Sequence, residues 1–247
     1  MAAVTPLIET RDLKRHFGGL KAVDGVDFTL NKGEIRAVIG PNGAGKTTFV
    51  SLICGRIPPS SGTILLDGKD ITSMPAHKRV LAGIAYTFQI TSIFPKLSVY
   101  DNVALSVQRR LLAKGRVSHG ALARGAHEAL DKVGLADRAG VLAGNLAYGH
   151  QRLLEVAMGL ALEPRLLILD EPTQGLSDGE IETFIALVRE IARDATVMLI
   201  EHNMHVVMEL AQKITVLSFG KILAEGTPAE IRANVAVQDA YLGGGHG

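Results

Sequence analysis

The sequence predicts an α/β fold with a mainly parallel sheet, an antiparallel β region at the N-terminus and an inserted helical segment. Strand and helix patterns alternate over residues 164–247, which favours parallel strands covered by helices. Short apolar runs punctuated by glycines fill residues 7–39, and helical spacing replaces strand patterns in 90–163. We therefore expect one domain over 1–247, with an α/β core in 1–89 and 164–247 and a helical subdomain in 90–163.

The N-terminal part contains a helix and a hairpin between predicted strands. A helix is expected from Lys46 to about Gly55, after a glycine-rich loop. Residues 61–70 predict a hairpin that turns at Asp67-Gly68, because this dipeptide favours two-residue turns. The apolar run Ile84–Thr87 predicts a short strand.

Three helices are predicted within the segment 90–163. The first follows Ser98, a residue type that suits the N-cap position. The second covers the apolar residues that recur at helical spacing in 122–133. The third is expected from Gln151 to Leu162, because Pro164 cannot continue a helix.

Strands and helices alternate again after this segment. Continuous apolar runs there are typical of strands buried on both faces. The predicted elements are a strand at Leu166–Leu169, a helix at Glu180–Ala192, a strand at Val197–Ile200, a helix at Met204–Ala211 and a strand at Ile214–Leu217.

Composition indicates a globular protein and disfavours several functional classes. The chain has 247 residues, of which 47% are hydrophobic and 21% charged, as in ordinary globular domains. Its 26 basic and 25 acidic residues do not form the strongly basic balance expected of a nucleic-acid-binding protein. One cysteine, Cys54, excludes an internal disulfide and favours a reducing compartment. No apolar run is long enough for a membrane helix or a signal peptide.

The strongest functional pattern is GPNGAGKT at residues 40–47, between a predicted strand and a predicted helix. It fits the phosphate-binding pattern G-x-x-x-x-G-K-[ST], in which glycines let backbone N–H groups face phosphate oxygens. The helix N-terminus that follows also attracts anions. We expect Lys46 to reach the β- and γ-phosphates of ATP and the Thr47 hydroxyl to hold Mg²⁺. The expected nucleotide-binding residues here are Gly40, Pro41, Asn42, Gly43, Ala44, Gly45, Lys46, Thr47 and Thr48.

Two acidic residues end the apolar run that begins at residue 166. Ligands of parallel sheets bind beyond the carboxyl ends of the strands, so Asp170 and Glu171 are expected to face residues 40–47. Asp170 suits Mg²⁺, which prefers oxygen ligands. Glu171 suits the role of the base that polarises the attacking water.

With these segments in this order, the chain resembles the ATP-binding cassette ATPases over nearly its whole length. The resemblance implies a P-loop NTPase (RecA-like) core and ATP hydrolysis. It also implies that Gln89 contacts Mg²⁺ and the attacking water and senses the transporter. His202 matches a histidine that contacts the γ-phosphate, and Phe17 lies where an aromatic residue stacks on adenine, although it could equally belong to the core.

The family's signature, usually LSGGQ, aligns with LAYGH at residues 146–150. Ala147 replaces a serine and Tyr148 replaces a glycine, so the backbone of Gly149 is expected to contact a γ-phosphate held by a second subunit. GLSD at 175–178 matches, loosely, the loop that crosses the dimer interface. The expected signature residues are Leu146, Ala147, Tyr148, Gly149 and His150.

Within this family the chain is most similar to ATP-binding subunits of importers for branched-chain and other hydrophobic amino acids. The resemblance lies in FGGLKAVDGV, the TFQ–SIF–LSVYDN stretch, LAYG and the tail AEGTPAEI…YLG. A urea or amide importer and a lipopolysaccharide exporter remain alternatives. So do a soluble cassette ATPase acting on nucleic acid or ribosomes and a regulatory module that binds ATP without hydrolysing it.

The resemblance also implies partners and a location. Two copies, or one copy and a paralogue, are expected to sandwich two ATP molecules head to tail. The chain is expected in the cytoplasm, on the inner face of the membrane, bound to transmembrane permease subunits through a groove at residues 90–97. A periplasmic or extracellular substrate-binding protein would complete the system, and no nucleic acid is expected.

Overall fold

The computed structural model describes residues 5–87, 92–115 and 117–242. One of its two sheets is antiparallel, with strand order β2-β1-β4-β5. Its strands are β1 (Ile8–Phe17), β2 (Leu20–Leu30), β4 (Ser61–Leu66) and β5 (Lys69–Asp70). The predicted N-terminal antiparallel region and its 61–70 hairpin are therefore confirmed.

The second sheet has six strands in the order β10-β9-β3-β8-β7-β6. Its strands are β3 (Ile35–Ile39), β6 (Ile84–Thr87), β7 (Leu166–Asp170), β8 (Thr196–Ile200), β9 (Lys213–Ser218) and β10 (Lys221–Gly226). All neighbouring pairs are parallel except β9 and β10. Every residue of β3, β7 and β8 is buried, as expected for apolar strands covered on both faces.

Nine α-helices occur in the described part of the chain. They are α1 (Lys46–Ile53), α2 (Ala76–Leu81), α3 (Val99–Ala113), α4 (His119–Lys132), α5 (Tyr148–Leu160), α6 (Asp178–Ile191), α7 (Met204–Leu210), α8 (Pro228–Ala233) and α9 (Val235–Leu242). Single 3₁₀ turns at 136–138 and 143–145 precede α5. No helix of residues 5–87, 92–115 and 117–242 is long and apolar enough to cross a membrane.

Helices α3, α4 and α5 pack together and form the helical insertion that the sequence predicts. Ser98 caps α3 by accepting a hydrogen bond from the amide of Asp101, and Ser118 caps α4 in the same way. Such caps satisfy amides that have no acceptor within the helix. Buried apolar residues from the three helices, including Val103, Leu130 and Leu154, form one core cluster with the six-stranded sheet.

Several elements differ from those that the sequence predicts. Helix α5 begins at Tyr148 rather than at Gln151, because Ala147 at the N-cap has no capping side chain that would mark the start. Helices α2, α8 and α9 and strand β10 were not predicted. A start signal for α8 is present, since Thr227 and Glu230 form a capping box around Pro228.

A buried arginine holds the C-terminal end of α1. The Arg79 guanidinium is almost fully buried and donates from Nη1 to the carbonyl oxygens of Leu52 and Ile53, at 2.7 and 2.8 Å. It also donates to the carbonyl oxygens of Ile71, Thr72 and Met74. These carbonyls lie at the ends of α1 and of the segment before α2, so one side chain satisfies acceptors from both.

We expect Arg79→Met to destabilise the fold by at least about 3 kcal/mol, because it keeps most of the volume and leaves several buried carbonyls without a donor. Urea unfolding would measure the change in the free energy of unfolding. Arg109→Met, on an exposed arginine of α3, serves as the control and should change it by less than about 0.5 kcal/mol. Equal stability of both variants would contradict this account of Arg79.

Candidate functional site

Residues 40–47, the phosphate loop, connect β3 to α1 and require glycine at two close approaches. A Cβ on Gly40, which has φ +151°, would lie 2.1 Å from the carbonyl oxygen of Leu217. A Cβ on Gly45, which has φ +101°, would lie 2.2 Å from that of Ala22. Only glycine tolerates both the backbone conformation and the contact. The loop therefore curls tightly against the strands that flank it.

The curled loop presents a row of N–H groups at the start of α1. Ala44 donates its amide to Pro41 O at 3.2 Å, and Phe49 donates to Gly45 O at 2.8 Å. Within the described residues, the amides of Gly45, Lys46 and Thr47 have no such acceptor. Free amides at a helix N-terminus form a site for anions, so the loop fits the phosphates of ATP.

Lys46 lies over this loop and shares its surroundings with two carboxylates. Its Nζ donates to the carbonyl oxygens of Gly40 and Pro41, at 2.6 and 3.1 Å. Partial burial lowers the pKa of Lys46, and the nearby carboxylates of Glu171 and Asp170 oppose that shift. The expected meeting of the loop lysine with the two acids at one edge of the sheet is present.

Asp170 ends β7 and is 2% exposed. Its Oδ2 accepts a hydrogen bond from the Tyr86 hydroxyl at 2.5 Å. Burial raises the pKa of Asp170, Glu171 raises it further, and the Tyr86 hydrogen bond lowers it. A cation beside the carboxylate would offset its desolvation. The described residues contain no group of three or more His, Cys, Asp or Glu that could hold a metal. Mg²⁺ at a nucleotide commonly needs only one or two carboxylates, because phosphate oxygens and waters supply its other ligands.

Glu171 and His202 lie side by side beyond β7 and β8. The Glu171 amide donates to Ile200 O at 2.8 Å, and its φ is +47°. Non-glycine residues in this left-handed region are uncommon and cluster at functional sites. Glu171 Oε1 lies 3.8 Å from His202 Nδ1, and the imidazole side chain is 64% exposed. The exposed imidazole beside the acid is therefore accessible to a ligand.

The signature segment, residues 146–150, lies at the N-terminus of α5 and contacts the 175–180 region. A Cβ on Gly149 would lie 2.3 Å from Glu180 Oε1, so Gly149 and the Glu180 side chain lie in direct contact. A Cβ on Gly175 would lie 2.9 Å from Cε1 of the Tyr148 ring. The signature segment and the GLSD loop therefore pack together. Among the described residues, no hydrogen bond or ion pair joins residues 146–150 to the phosphate loop.

The remaining predicted contact residues are Phe17, Gln89 and Thr48. Phe17, at the end of β1, is 45% exposed, so it does not belong to the core. The Arg15 guanidinium carbon lies 4.4 Å from the centre of its ring. Gln89 lies outside the described residues, as do residues 90 and 91 of the proposed docking groove. Thr48 lies on α1, directly after Thr47.

Comparison with known proteins brings these segments into one family. The profile of the ABC transporter family matches residues 23–174, a range that includes the phosphate loop, the signature segment, Asp170 and Glu171. The chain belongs to the ABC transporter family. A second profile, that of the branched-chain amino acid ATP-binding cassette transporter, matches residues 221–247 of this ABC cassette.

Several relatives of this ABC cassette align along nearly their whole length. The high-affinity branched-chain amino acid transport ATP-binding protein BraF of Pseudomonas aeruginosa is 39% identical, over 96% of this chain and 98% of BraF. LivG of Escherichia coli, which has the same description, is 38% identical over the same shares. The lipopolysaccharide export system ATP-binding protein LptB of Escherichia coli is 32% identical, over 96% of this chain and 97% of LptB.

The fold of the ABC cassette also matches solved structures. The ADP conformation of MJ1267, an ATP-binding cassette of an ABC transporter, has a TM-score of 0.85 at 26% identity, over 96% of this chain and 99% of that one. The predicted fold class and the prediction of an ATP-binding ATPase are confirmed. Which residues of this ABC cassette perform each step stays a prediction.

Three features of the site were not predicted from the sequence: the contact of Tyr86 with Asp170, the contact of Gly175 with Tyr148, and Glu201. Tyr86 reaches Asp170 from the neighbouring strand β6, and Gly175 accommodates the Tyr148 ring. Glu201 directly follows the apolar strand β8, just as Asp170 ends the apolar strand β7. An acidic residue at the end of an apolar run is the signal that could have identified Glu201. Nothing in the local sequence indicates the contacts of Tyr86 and Gly175, because each depends on a segment distant along the chain.

We expect Gly175→Ala to destabilise the ABC cassette by about 2 kcal/mol, because a Cβ would meet the Tyr148 ring at a φ of +79°. Urea unfolding would measure it. In a Tyr148→Ala background the steric conflict is gone, so the same change should cost only about 1 kcal/mol for its backbone conformation.

The matched control is Gly179→Ala on α6, where a Cβ would meet nothing within 4 Å. It should be neutral or stabilise by up to about 1 kcal/mol, because alanine favours helix. An equal cost of Gly175→Ala with and without the Tyr148 ring would show that the two residues do not act as a pair.

Proposed function

We propose that this chain binds and hydrolyses ATP to drive the import of branched-chain or other hydrophobic amino acids. The observation that carries the chemistry is the meeting of Lys46, Asp170, Glu171 and His202 at the carboxyl edge of the six-stranded sheet. BraF and LivG are described as branched-chain amino acid transport proteins, and the C-terminal match is to a branched-chain amino acid cassette. These similarities support the substrate class.

ATP binding would use the phosphate loop and the N-terminus of α1. The amides of residues 43–47 and the Lys46 ammonium would hold the triphosphate, whose negative charge suits a helix N-terminus. Mg²⁺ would be held by the Thr47 hydroxyl and Asp170 and, as the family resemblance implies, by Gln89. When bound, the ion neutralises charge on the phosphate oxygens. Phe17 would contact the adenine with its exposed ring.

Hydrolysis would use the two groups that lie side by side beyond β7 and β8. Glu171 would accept a proton from a water whose oxygen attacks the γ-phosphorus, while the bond to the bridging oxygen breaks. His202 would donate a hydrogen bond to the γ-phosphate through its exposed ring. Lys46 would stabilise the charge that develops on the oxygens. Intact residues in all these positions favour an active ATPase over a module that only binds ATP.

The second half of each site would come from another ATPase subunit, either an identical chain or a paralogue. The α5 N-terminus presents amides near Gly149, and its helix dipole suits a γ-phosphate. Within the described residues, the phosphate loop of the same chain makes no hydrogen bond to residues 146–150. A head-to-tail pair would bring residues 146–150 of one subunit to residues 40–47 of the other. In this pair, the helical subdomain 90–163 of each subunit would carry the signature segment to the phosphate loop of the other subunit.

Family members act with transmembrane permease subunits, and we propose that this chain binds them through residues 92–97. Phe94 is 52% exposed in this segment, and its backbone is held by the buried Asn102 side chain, at 2.7 Å to N and 3.1 Å to O. A rigid segment with an exposed aromatic residue suits a partner helix. The chain would then lie in the cytoplasm on the inner face of the membrane, with a periplasmic or extracellular substrate-binding protein in the same system.

The alternative substrates are urea or amides for an importer and lipopolysaccharide for an exporter. The 32% identity with LptB is lower than the 39% with BraF, which favours amino-acid import. A role on nucleic acid or ribosomes is disfavoured by the near-neutral net charge of +1.

We expect Glu171→Gln to bind ATP and lower kcat by at least about 100-fold, because an amide cannot accept the proton from water. Phosphate release would measure kcat, and gel filtration with ATP and Mg²⁺ should show a trapped dimer. Glu182→Gln, an exposed carboxylate on α6 paired with His205 at 2.7 Å, is the matched control and should keep wild-type kcat. Persistent ATP turnover by the Glu171→Gln variant would exclude Glu171 as the base.

We expect Phe94→Asp to abolish most leucine uptake by the complex with its permeases in proteoliposomes, while the ATPase activity of the isolated subunit stays near wild type. The reason is that a charge would be placed in the proposed apolar contact. Phe94 is preferred to Ile93 because Ile93 packs against the helical core.

The matched control for this substitution is Leu105→Asp, on an exposed leucine of α3. It should leave uptake unchanged. Normal leucine uptake by Phe94→Asp would remove residues 92–97 as the docking site. Uptake of urea instead of leucine by the wild-type complex would contradict the substrate class and leave the ATPase function standing.

A further inference from the structure

Glu201 is a buried carboxylate that the proposed mechanism does not use. It follows β8 directly and is 1% exposed. Burying an ionised carboxylate is unfavourable unless hydrogen-bond donors compensate for the lost water. The contacts of Glu201 show how this cost is offset.

Four donors from two segments surround the Glu201 carboxylate. Oε1 accepts from the Thr173 amide at 3.0 Å and also from the Thr173 hydroxyl. Oε2 accepts from the amides of His202 and Asn203, both at 3.0 Å. Each oxygen therefore serves one segment. The carboxylate joins the chain that leaves β7 to the chain that leaves β8.

These two segments carry the groups proposed for hydrolysis. Thr173 lies two residues after Glu171, and His202 adjoins Glu201. The Glu171 amide donates to Ile200 O at 2.8 Å, so a backbone bond runs beside the carboxylate contacts. The side chains of the two residues also lie close together, with Glu171 Oε1 3.8 Å from His202 Nδ1.

The same contacts continue into the start of α7. Asn203, whose amide donates to Glu201, caps α7 by accepting from the amide of His205 at 3.1 Å. The residues on both sides of the exposed His202 side chain are thereby fixed. The imidazole can rotate, but the backbone that carries it is tied to the Glu171 segment.

We propose that Glu201 is a positioning residue for ATP hydrolysis. It holds the backbone of His202 against the segment that follows Glu171, so that the imidazole and the base keep their relative position at the γ-phosphate. This inference rests on the roles proposed for Glu171 and His202. It predicts an effect on kcat and little effect on ATP binding, because Glu201 does not contact the phosphate loop in the described structure.

The first experiment compares kcat and KM for ATP in the full-length chain. In Glu201→Gln, the side-chain NH₂ replaces one carboxylate oxygen and faces donors that it cannot accept from. The hydrogen bonds to one of the two segments are therefore lost. We expect kcat to fall about 10- to 100-fold, because small misplacements of reacting groups lower rates by such factors. KM should change by less than about threefold. Glu182→Gln is the control for replacing a carboxylate by an amide.

A second pair of variants tests the same tie without altering the carboxylate. Thr173→Val removes the hydroxyl donor and keeps the shape, and should lower kcat in the same direction. Thr173→Ser restores the hydroxyl and should recover most of the loss. A purely steric role would instead make serine the more damaging change. This pair decides the question if Glu201→Gln fails to fold.

The decisive measurement is the effect of Glu201→Gln in a His202→Ala background. If Glu201 acts through His202, the double variant should have nearly the kcat of His202→Ala alone, since residues that act as a unit are not additive. Full additivity, or unchanged kcat in Glu201→Gln beside an active wild type, overturns the positioning role alone. Absence of hydrolysis by the wild-type chain overturns the proposed function and this inference with it.

Discussion

The constraint on which the site depends is the register of three buried parallel strands. Ile200 at the end of β8 lies opposite Val38 of β3 on one side and opposite Asp170 of β7 on the other. Because parallel strands end at the same edge, the chain segments that leave them emerge side by side. A phosphate loop, a pair of acids and a histidine that are far apart in sequence thus meet at one edge. A slip of this register by one residue would turn the strand side chains to the opposite face of the sheet.

The phosphate loop owes its shape to its neighbours as much as to its glycines. Carbonyl groups of β9 and β2 approach Gly40 and Gly45 so closely that any side chain would collide with them. Ala44 O accepts a hydrogen bond from the Gly220 amide at 3.0 Å. The loop is therefore held from both sides before any ligand contacts it, and such preorganised donors cost little reorganisation when they bind.

Charge at the site is balanced within a partly buried space. Burial lowers the pKa of Lys46 and raises that of Asp170, while the opposite charges of the two groups oppose both shifts. Desolvation and the neighbouring charges thus shift the pKa values of two groups that are proposed to bind ATP and Mg²⁺. Glu201 is placed differently, because it is 1% exposed and accepts hydrogen bonds from four donors within the protein. Asp170 is the acid proposed to hold Mg²⁺, whereas Glu201 is the acid proposed to hold the backbone.

The sequence by itself determined the fold class, the phosphate loop and the two acids, because each is encoded locally. Residues 40–47 carry a contiguous pattern, and an apolar run that ends in Asp170 marks both a buried strand and its functional edge. The family of the chain followed from the same segments. Only the tertiary structure decided how Tyr148 packs on Gly175, that Phe17 is exposed, and that Glu201 joins segments 28 residues apart. These contacts depend on packing between distant segments, which the periodicity and spacing of a single sequence do not record.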